Sequence, residues 1–238
     1  MRQTLVVSDP LAALARLEGV ASATAAATAA VDSVLRDRGM RQISPETLAA
    51  ARWASARANA DLTDDPERWF PGALRLTAET GALAALVRSA PAQALARAHA
   101  LAARGIVPDD ELGRVRSSPE VAGRVQGIGE LLRGPTSAPA LVVAGVVHAE
   151  LATVEPFAQG SEVVARAVEH AVMVSAGLDP QAVVVVEAGH LAAGAAYRSA
   201  LQGYVRGGRP GVRAWLLHCA AAVTVGAEHS PALKTSRT

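Results

Sequence analysis

Aromatic side chains are scarce in this chain, two Phe, two Tyr and three Trp among 238 residues. That excludes the stacking platforms on which nucleic-acid bases rest. An excess of either charge is missing too, with 23 basic against 22 acidic residues. No basic face or charge run emerges, so nucleic acid is not the expected partner. The lone Cys219 excludes an intrachain disulfide framework and fits a reducing compartment. Long apolar runs are absent: those around Leu141 to Val147 and Val183 to Val186 fall short of a membrane span. The first ten residues carry too short an apolar stretch for a secretory leader. The expectation is a cytoplasmic protein with no membrane partner.

What the chain does have is alanine, valine and leucine, which dominate a hydrophobic share of 50%. Such a composition favours helices packed closely through small side chains, and the expected fold class is all-α with no large sheet. Ala21 to Ala30, nearly pure Ala and Thr, reads as a small-residue helix that continues to Arg38, with Gly39 as a break. Ser44-Pro45-Glu46 starts another: a capping hydroxyl, Pro at the first helical position and an acid in the first turn, running to about Asn59. Asp64-Asp65-Pro66-Glu67 opens a short turn or helix near Trp69, and Pro71 is expected to restart the chain. Ala73 to Val87 then reads as one helix and Ala92 to Ala103 as the next. The segment from Ile106 to Ser117 is polar and reads as loop, and Ser118-Pro119-Glu120 opens a helix to about Leu132. Gly127-Ile128-Gly129 follows no strand and is no dinucleotide fingerprint. Val183 to Val186 looks like a strand by composition, but no βαβ alternation surrounds it. The last helices are expected over Leu191 to Val205 and Val212 to Gly226, followed by a frayed tail from Pro231 to Thr238.

The centre of the chain carries the most informative stretch. Ala138 to Leu151 and Val163 to Val174 are apolar over much of their surface and read as buried central helices. Between them lies the polar turn Glu155-Pro156-Phe157-Ala158-Gln159-Gly160-Ser161-Glu162-Val163-Val164-Ala165-Arg166. It ends at a helix N-terminus, where backbone N–H groups favour an anion. This turn resembles the signature of the Fic/Doc (Fido) family, H-P-F-x-[D/E]-G-N-G-R-x-x-R, in a degenerate form. Pro156, Phe157, Gly160 and the final Arg166 match it. Glu155 stands in the place of the family's catalytic His and Gln159 in that of its metal-binding acid, while Ser161, Glu162 and Val163 replace Asn, Gly and the first Arg. His148 sits where many family members carry a His, and His99 where they carry a structural one. Ser55-Ala56-Arg57-Ala58-Asn59 resembles the family's inhibitory motif, with Asn59 in the place of a Glu that would pair with the first motif Arg, here Val163. Ser-x-x-x-Asn on a capped surface helix is the alternative reading of that segment. The helices holding Tyr197 and Trp215 are similar to the family's C-terminal pair.

The resemblance covers roughly Ser44 to His229 and implies a Fic-like helical core over residues 60–230. A helical extension precedes it over residues 1–59, and a flexible tail follows over residues 231–238. It also implies an activity, transfer of AMP from ATP to a protein hydroxyl, for which the residues present are poorly suited. A solvated carboxylate at Glu155 is about two pH units more acidic than an imidazole and a correspondingly weaker base. Gln159 lacks the charge that holds Mg²⁺, Glu162 places an acid in the anion loop, and Val163 removes a guanidinium that would neutralise phosphate. The expected function is therefore a Fic-fold pseudoenzyme that binds a protein partner or ligand, with homodimerisation left open. Phe157, Gly160, Ser161 and Arg166 are the candidate nucleotide or anion contacts. Ser161 could instead cap the following helix, and Arg166 could pair with Glu162 four residues earlier. The alternative is an active AMP transferase with Glu155 as base or metal ligand. ATP and Mg²⁺ belong to that alternative, and the residues themselves imply no other cofactor.

Overall fold

The computed structural model describes residues 9–36 and 43–234. No strand or sheet is found among them, only an isolated bridge between Arg104 and Val107. Four helices open on the same local device, an Asp or Ser followed by Pro. The Asp9 carboxylate accepts from Ala12 N–H (3.0 Å) at the head of α1 (Pro10–Ala15), and the Ser44 hydroxyl from Thr47 N–H (3.2 Å) at α3 (Pro45–Asp61). Asp65 does the same for α4 (Pro66–Ala78) and Ser118 for α7 (Pro119–Arg133). In each the side chain satisfies an N–H that the helix itself cannot, and Pro occupies a position with no hydrogen to donate. The remaining elements are α2 (Val20–Arg36), α5 (Thr80–Leu86), α6 (Pro91–Ala103), a 3₁₀ turn (Asp109–Glu111), α8 (Ala140–Val154), α9 (Ser161–Ser175), α10 (Val186–Ala193), α11 (Ala195–Arg206), α12 (Gly208–Glu228) and α13 (Pro231–Lys234).

The antiparallel pair α8 and α9 forms the centre. Helices α3, α4, α5 and α6 pack on α9, while α1, α7, α11 and α12 pack on α8. Both central helices are buried around most of their circumference, as their apolar composition requires. One apolar cluster gathers around Phe157, Val164, Val168 and Met173, and a second between α8 and α12 around Trp215, Leu216 and Val142. Helix α2 contributes Ala27, Val31 and Val34 to the first cluster. The boundary expected at residue 59 falls inside α3, and the segment before it shares the core. Small side chains permit the close packing. A Cβ on Gly72 would lie 1.9 Å from the Ala102 carbonyl oxygen, so α4 and α6 meet backbone to backbone.

Several expected boundaries differ. Pro71 does not restart the chain but lies within α4. It removes one hydrogen bond in the second turn, and burial of Trp69, Ala73 and Leu76 on the inner face outweighs that loss. The helix expected over Ala73 to Val87 is broken at Glu79. There the Thr77 and Thr80 hydroxyls bond back to carbonyls of the preceding turn, which competes with the regular ladder. The strand-like Val183 to Val185 is buried without a partner strand. Its N–H groups go instead to the Asp179 carboxylate (3.1 and 3.0 Å) and the Gly226 carbonyl (3.1 Å). The helix expected over Leu191 to Val205 is split at Gly194 into α10 and α11, and the last long helix begins at Gly208 rather than Val212. Pro231 to Lys234 is helical rather than frayed, with Ala232 buried. Gly39 and the last four residues lie outside the described residues.

Asp9 also joins α1 to the turn before α8, accepting from Thr136 Oγ1 (2.9 Å) and Ser137 N–H (2.8 Å). Backbone N–H donors from Ala12 and Ser137 hold its carboxyl at about 2, below the ordinary 3.8. A depressed carboxyl stabilises the folded state above its unfolded pKa, and that contribution disappears as pH falls through the folded value. Asp9→Ala is expected to lower the Tm near neutrality, with the difference from wild type shrinking between pH about 4 and about 2. Thermal melts of both proteins across that window check it.

Candidate functional site

The turn between α8 and α9 is held from all sides. α8 ends at Glu155, which adopts a left-handed conformation (φ 47°, ψ 62°) and lies on the surface. For a residue other than glycine this costs on the order of 1 kcal/mol or more. The chain then turns inward. Phe157 is buried, its ring stacked on that of His99 at a centroid distance of 4.0 Å and an angle of 5°. His99 is bonded at both nitrogens. Gly113 N–H donates to Nδ1 (2.8 Å), so the proton lies on Nε2, which donates to the Gln159 carbonyl (3.1 Å). Burial lowers the His99 pKa below the ordinary imidazole value, partly offset by the bond to Gln159. The loop before α7 is strapped on as well, for Arg116 donates from its backbone to the Pro156 carbonyl (2.8 Å) and from its guanidinium to the Val154 carbonyl (2.7 Å).

Gly160, not Ser161, is the N-cap of α9. Its φ is +78°, and a Cβ there would lie 2.5 Å from the Trp69 ring. The Ser161 hydroxyl faces back into the turn, accepting from Phe157 N–H (3.0 Å) and donating to the Phe157 carbonyl (3.3 Å). The sequence expectation of Ser161 as cap is corrected here. A side chain on Gly160 cannot reach the usual capping geometry, and the hydroxyl is more useful closing the buried turn. The Gln159 amide oxygen accepts from the Arg68 guanidinium (3.1 Å), so a cation already stands beside it.

Arg166 lies differently from a ligand contact. It is 1% exposed, and every nitrogen of its guanidinium has a partner. Nε donates to Asn59 Oδ1 (2.7 Å), Nη2 to the Asn59 carbonyl (3.3 Å) and Nη1 to the Tyr197 hydroxyl (3.4 Å), with Glu162 Oε2 at 3.6 Å. The i,i+4 pairing with Glu162 is present, but Asn59 is the closer partner. Asn59 Nδ2 also donates to the Val163 carbonyl (3.2 Å), so α3 does meet the motif helix at this residue. Val163 itself is fully buried in the apolar core. Ser55 is buried beside the Glu187 carboxyl rather than at the turn.

A cleft of about 390 Å³ opens over the turn, lined among others by Glu155, Gln159, Gly160, Glu162, Tyr197 and Arg198. Its rim thus carries two carboxylates and one guanidinium. Behind Tyr197 runs a buried polar network that the sequence reading identified only at His148. His148 Nδ1 donates to Glu169 Oε2 (2.6 Å), and its Nε2 accepts from the Tyr197 hydroxyl (3.0 Å). His190 Nε2 donates to the same Glu169 oxygen (2.8 Å), and His218 Nε2 donates to His190 Nδ1 (2.9 Å). Burial alone would raise the Glu169 carboxyl, but His190 and His148 outweigh it and hold it well below the usual carboxylate range. A second buried pair, His170 with Asp179 (3.0 Å), ties α9 to the turn that follows it. The available signal for these residues was polar side chains inside apolar helices, which marks burial without revealing partners.

No family model and no curated protein matches the sequence. The fold is that of a helical domain organised around a central antiparallel pair and its connecting turn. Among solved structures it is similar to Fic-1 of C. elegans (residues 134–508), with a TM-score of 0.62 and 17% identity, covering 91% of this chain and 74% of that one. The chain therefore has an all-α, Fic-like fold. No helix among the described residues is long and apolar enough to cross a membrane.

Two stability measurements test this account. Gly160→Ala combines a positive φ with a collision against Trp69 and is expected to cost about 2–4 kcal/mol in urea denaturation. Asn59→Ala leaves a buried guanidinium without its nearest acceptor, the Asn59 amide oxygen, and is expected to cost about 3 kcal/mol, part of it recovered by adding Arg166→Met.

Proposed function

We propose that this chain is a Fic-fold protein without ordinary AMP-transfer activity, a pseudoenzyme that works by binding a protein or ligand at the cleft above the α8–α9 turn. The observation that carries this reading is the enclosure of Arg166. The matching arginine of the resembled motif is here used inside the protein, bonded to Asn59 and Tyr197, and offers nothing to a phosphate. The surroundings support it. Glu155 and Glu162 place negative charge where a polyphosphate would approach, and like charges repel unless a metal or cation intervenes. Gln159 is neutral and already bonded to Arg68, which leaves Mg²⁺ a poor ligand set. The position of the motif's first arginine, Val163, lies in the core, where a guanidinium would need desolvation without a partner. A rim of two carboxylates, an amide and the single Arg198 guanidinium instead favours a cationic or hydrogen-bond-donating group.

The test is a thermal-shift titration of the purified chain with ATP and Mg²⁺, together with a labelled-AMP transfer assay on the chain and on a cell lysate. No Mg²⁺-dependent shift up to millimolar ATP and no incorporated label are expected. A saturable shift of several degrees accompanied by labelling would overturn the reading and favour catalysis through Glu155.

A further inference from the structure

Three imidazole and carboxylate side chains meet inside the protein away from the cleft. His148 Nδ1 from α8, Glu169 Oε2 from α9 and His190 Nε2 from α10 all lie within 4.8 Å of one another, and all three residues are buried. We propose that this cluster is a binding site for a transition-metal dication, Zn²⁺ by preference, held by these three protein donors. None of these residues belongs to the turn or to its cleft.

The donor types define the ion. Two neutral imidazoles and a carboxylate suit Zn²⁺, whereas Mg²⁺ and Ca²⁺ require oxygen ligands and retain water. The Glu169 carboxylate offsets one of the ion's two charges, which an interior site needs.

The outer nitrogens of both rings are held as metal ligands require. His148 Nε2 meets the Tyr197 hydroxyl and His190 Nδ1 meets His218 Nε2, and both partners can donate or accept. Each ring can therefore shift its proton to the outer nitrogen and turn a lone pair inward. The Tyr197 hydroxyl then accepts from His148 instead of donating to it, and the displaced His218 proton moves to the other nitrogen of a half-buried ring. The hydrogen-bonded arrangement of 2.6 and 2.8 Å is the metal-free form of the site. Around a four-coordinate Zn²⁺ the ligand atoms would stand about 3.3 Å apart, an opening of a few tenths of an ångström on each side.

The full chain, expressed in zinc-supplemented medium and dialysed without chelator, is to be analysed for total metal. It is also to be unfolded, stripped and refolded with Co²⁺. About one equivalent of zinc per chain is expected. The refolded protein should show the intense visible absorption of four-coordinate Co²⁺. Glu169→Gln should retain at least tenfold less metal. The outcome that overturns the proposal is wild-type protein holding under a tenth of an equivalent and refolding without cobalt absorption, since the wild-type measurements stand even where a variant fails to fold. In that case the cluster is a hydrogen-bonded core network only.

Discussion

Two opposite charges buried one turn apart on the same helix govern this molecule. Arg166 and Glu169 both lie on α9 at 1% exposure. Neither could remain there alone, since an unpaired charge in the interior costs several kcal/mol. Each surrounding helix answers with a specific group: Asn59 from α3, His148 from α8, His190 from α10 and Tyr197 from α11. Tyr197 links the two charges, accepting from Arg166 and donating to His148. Apolar contacts between alanines and valines tolerate sliding, whereas hydrogen bonds to a buried guanidinium do not. The polar network thus sets the rotation and register of helices whose small side chains specify little by themselves.

The same demand shapes the turn above it. Because Arg166 is held from within, the N-terminal end of α9 is closed by local devices. Gly160 lies against Trp69, Ser161 bonds across to Phe157, and His99 stacks beneath with its two nitrogens committed. The result is a rigid floor to a cleft whose rim carries Glu155, Glu162 and Arg198.

Local signals transferred well from sequence to structure. Ser44-Pro45 and Ser118-Pro119 begin helices because capping depends only on residues a few positions away. Pro71 did not break its helix, and Glu79 did, because burial of one face and hydroxyl back-bonding decide such cases. The motif positions were legible as a pattern of matches and replacements, but not their contacts. Asn59 and Arg166 are separated by more than a hundred residues, and no periodicity relates them. Glu169, His190 and His218 were visible only as polar residues in apolar helices, with nothing to say that they meet.

By itself the sequence determined the helical class, most helix starts and the central apolar pair, since these follow from propensity, capping and hydrophobic pattern along a few turns of chain. It also determined that the turn lacks the imidazole, acid and first arginine of the pattern it resembles. Tertiary structure alone decided that Arg166 is a buried structural cation, that Gly160 rather than Ser161 caps α9, and that two histidines share one carboxylate oxygen. Those outcomes depend on which faces of separate helices pack together, and that is settled by the simultaneous pairing of buried polar groups rather than by any stretch read alone.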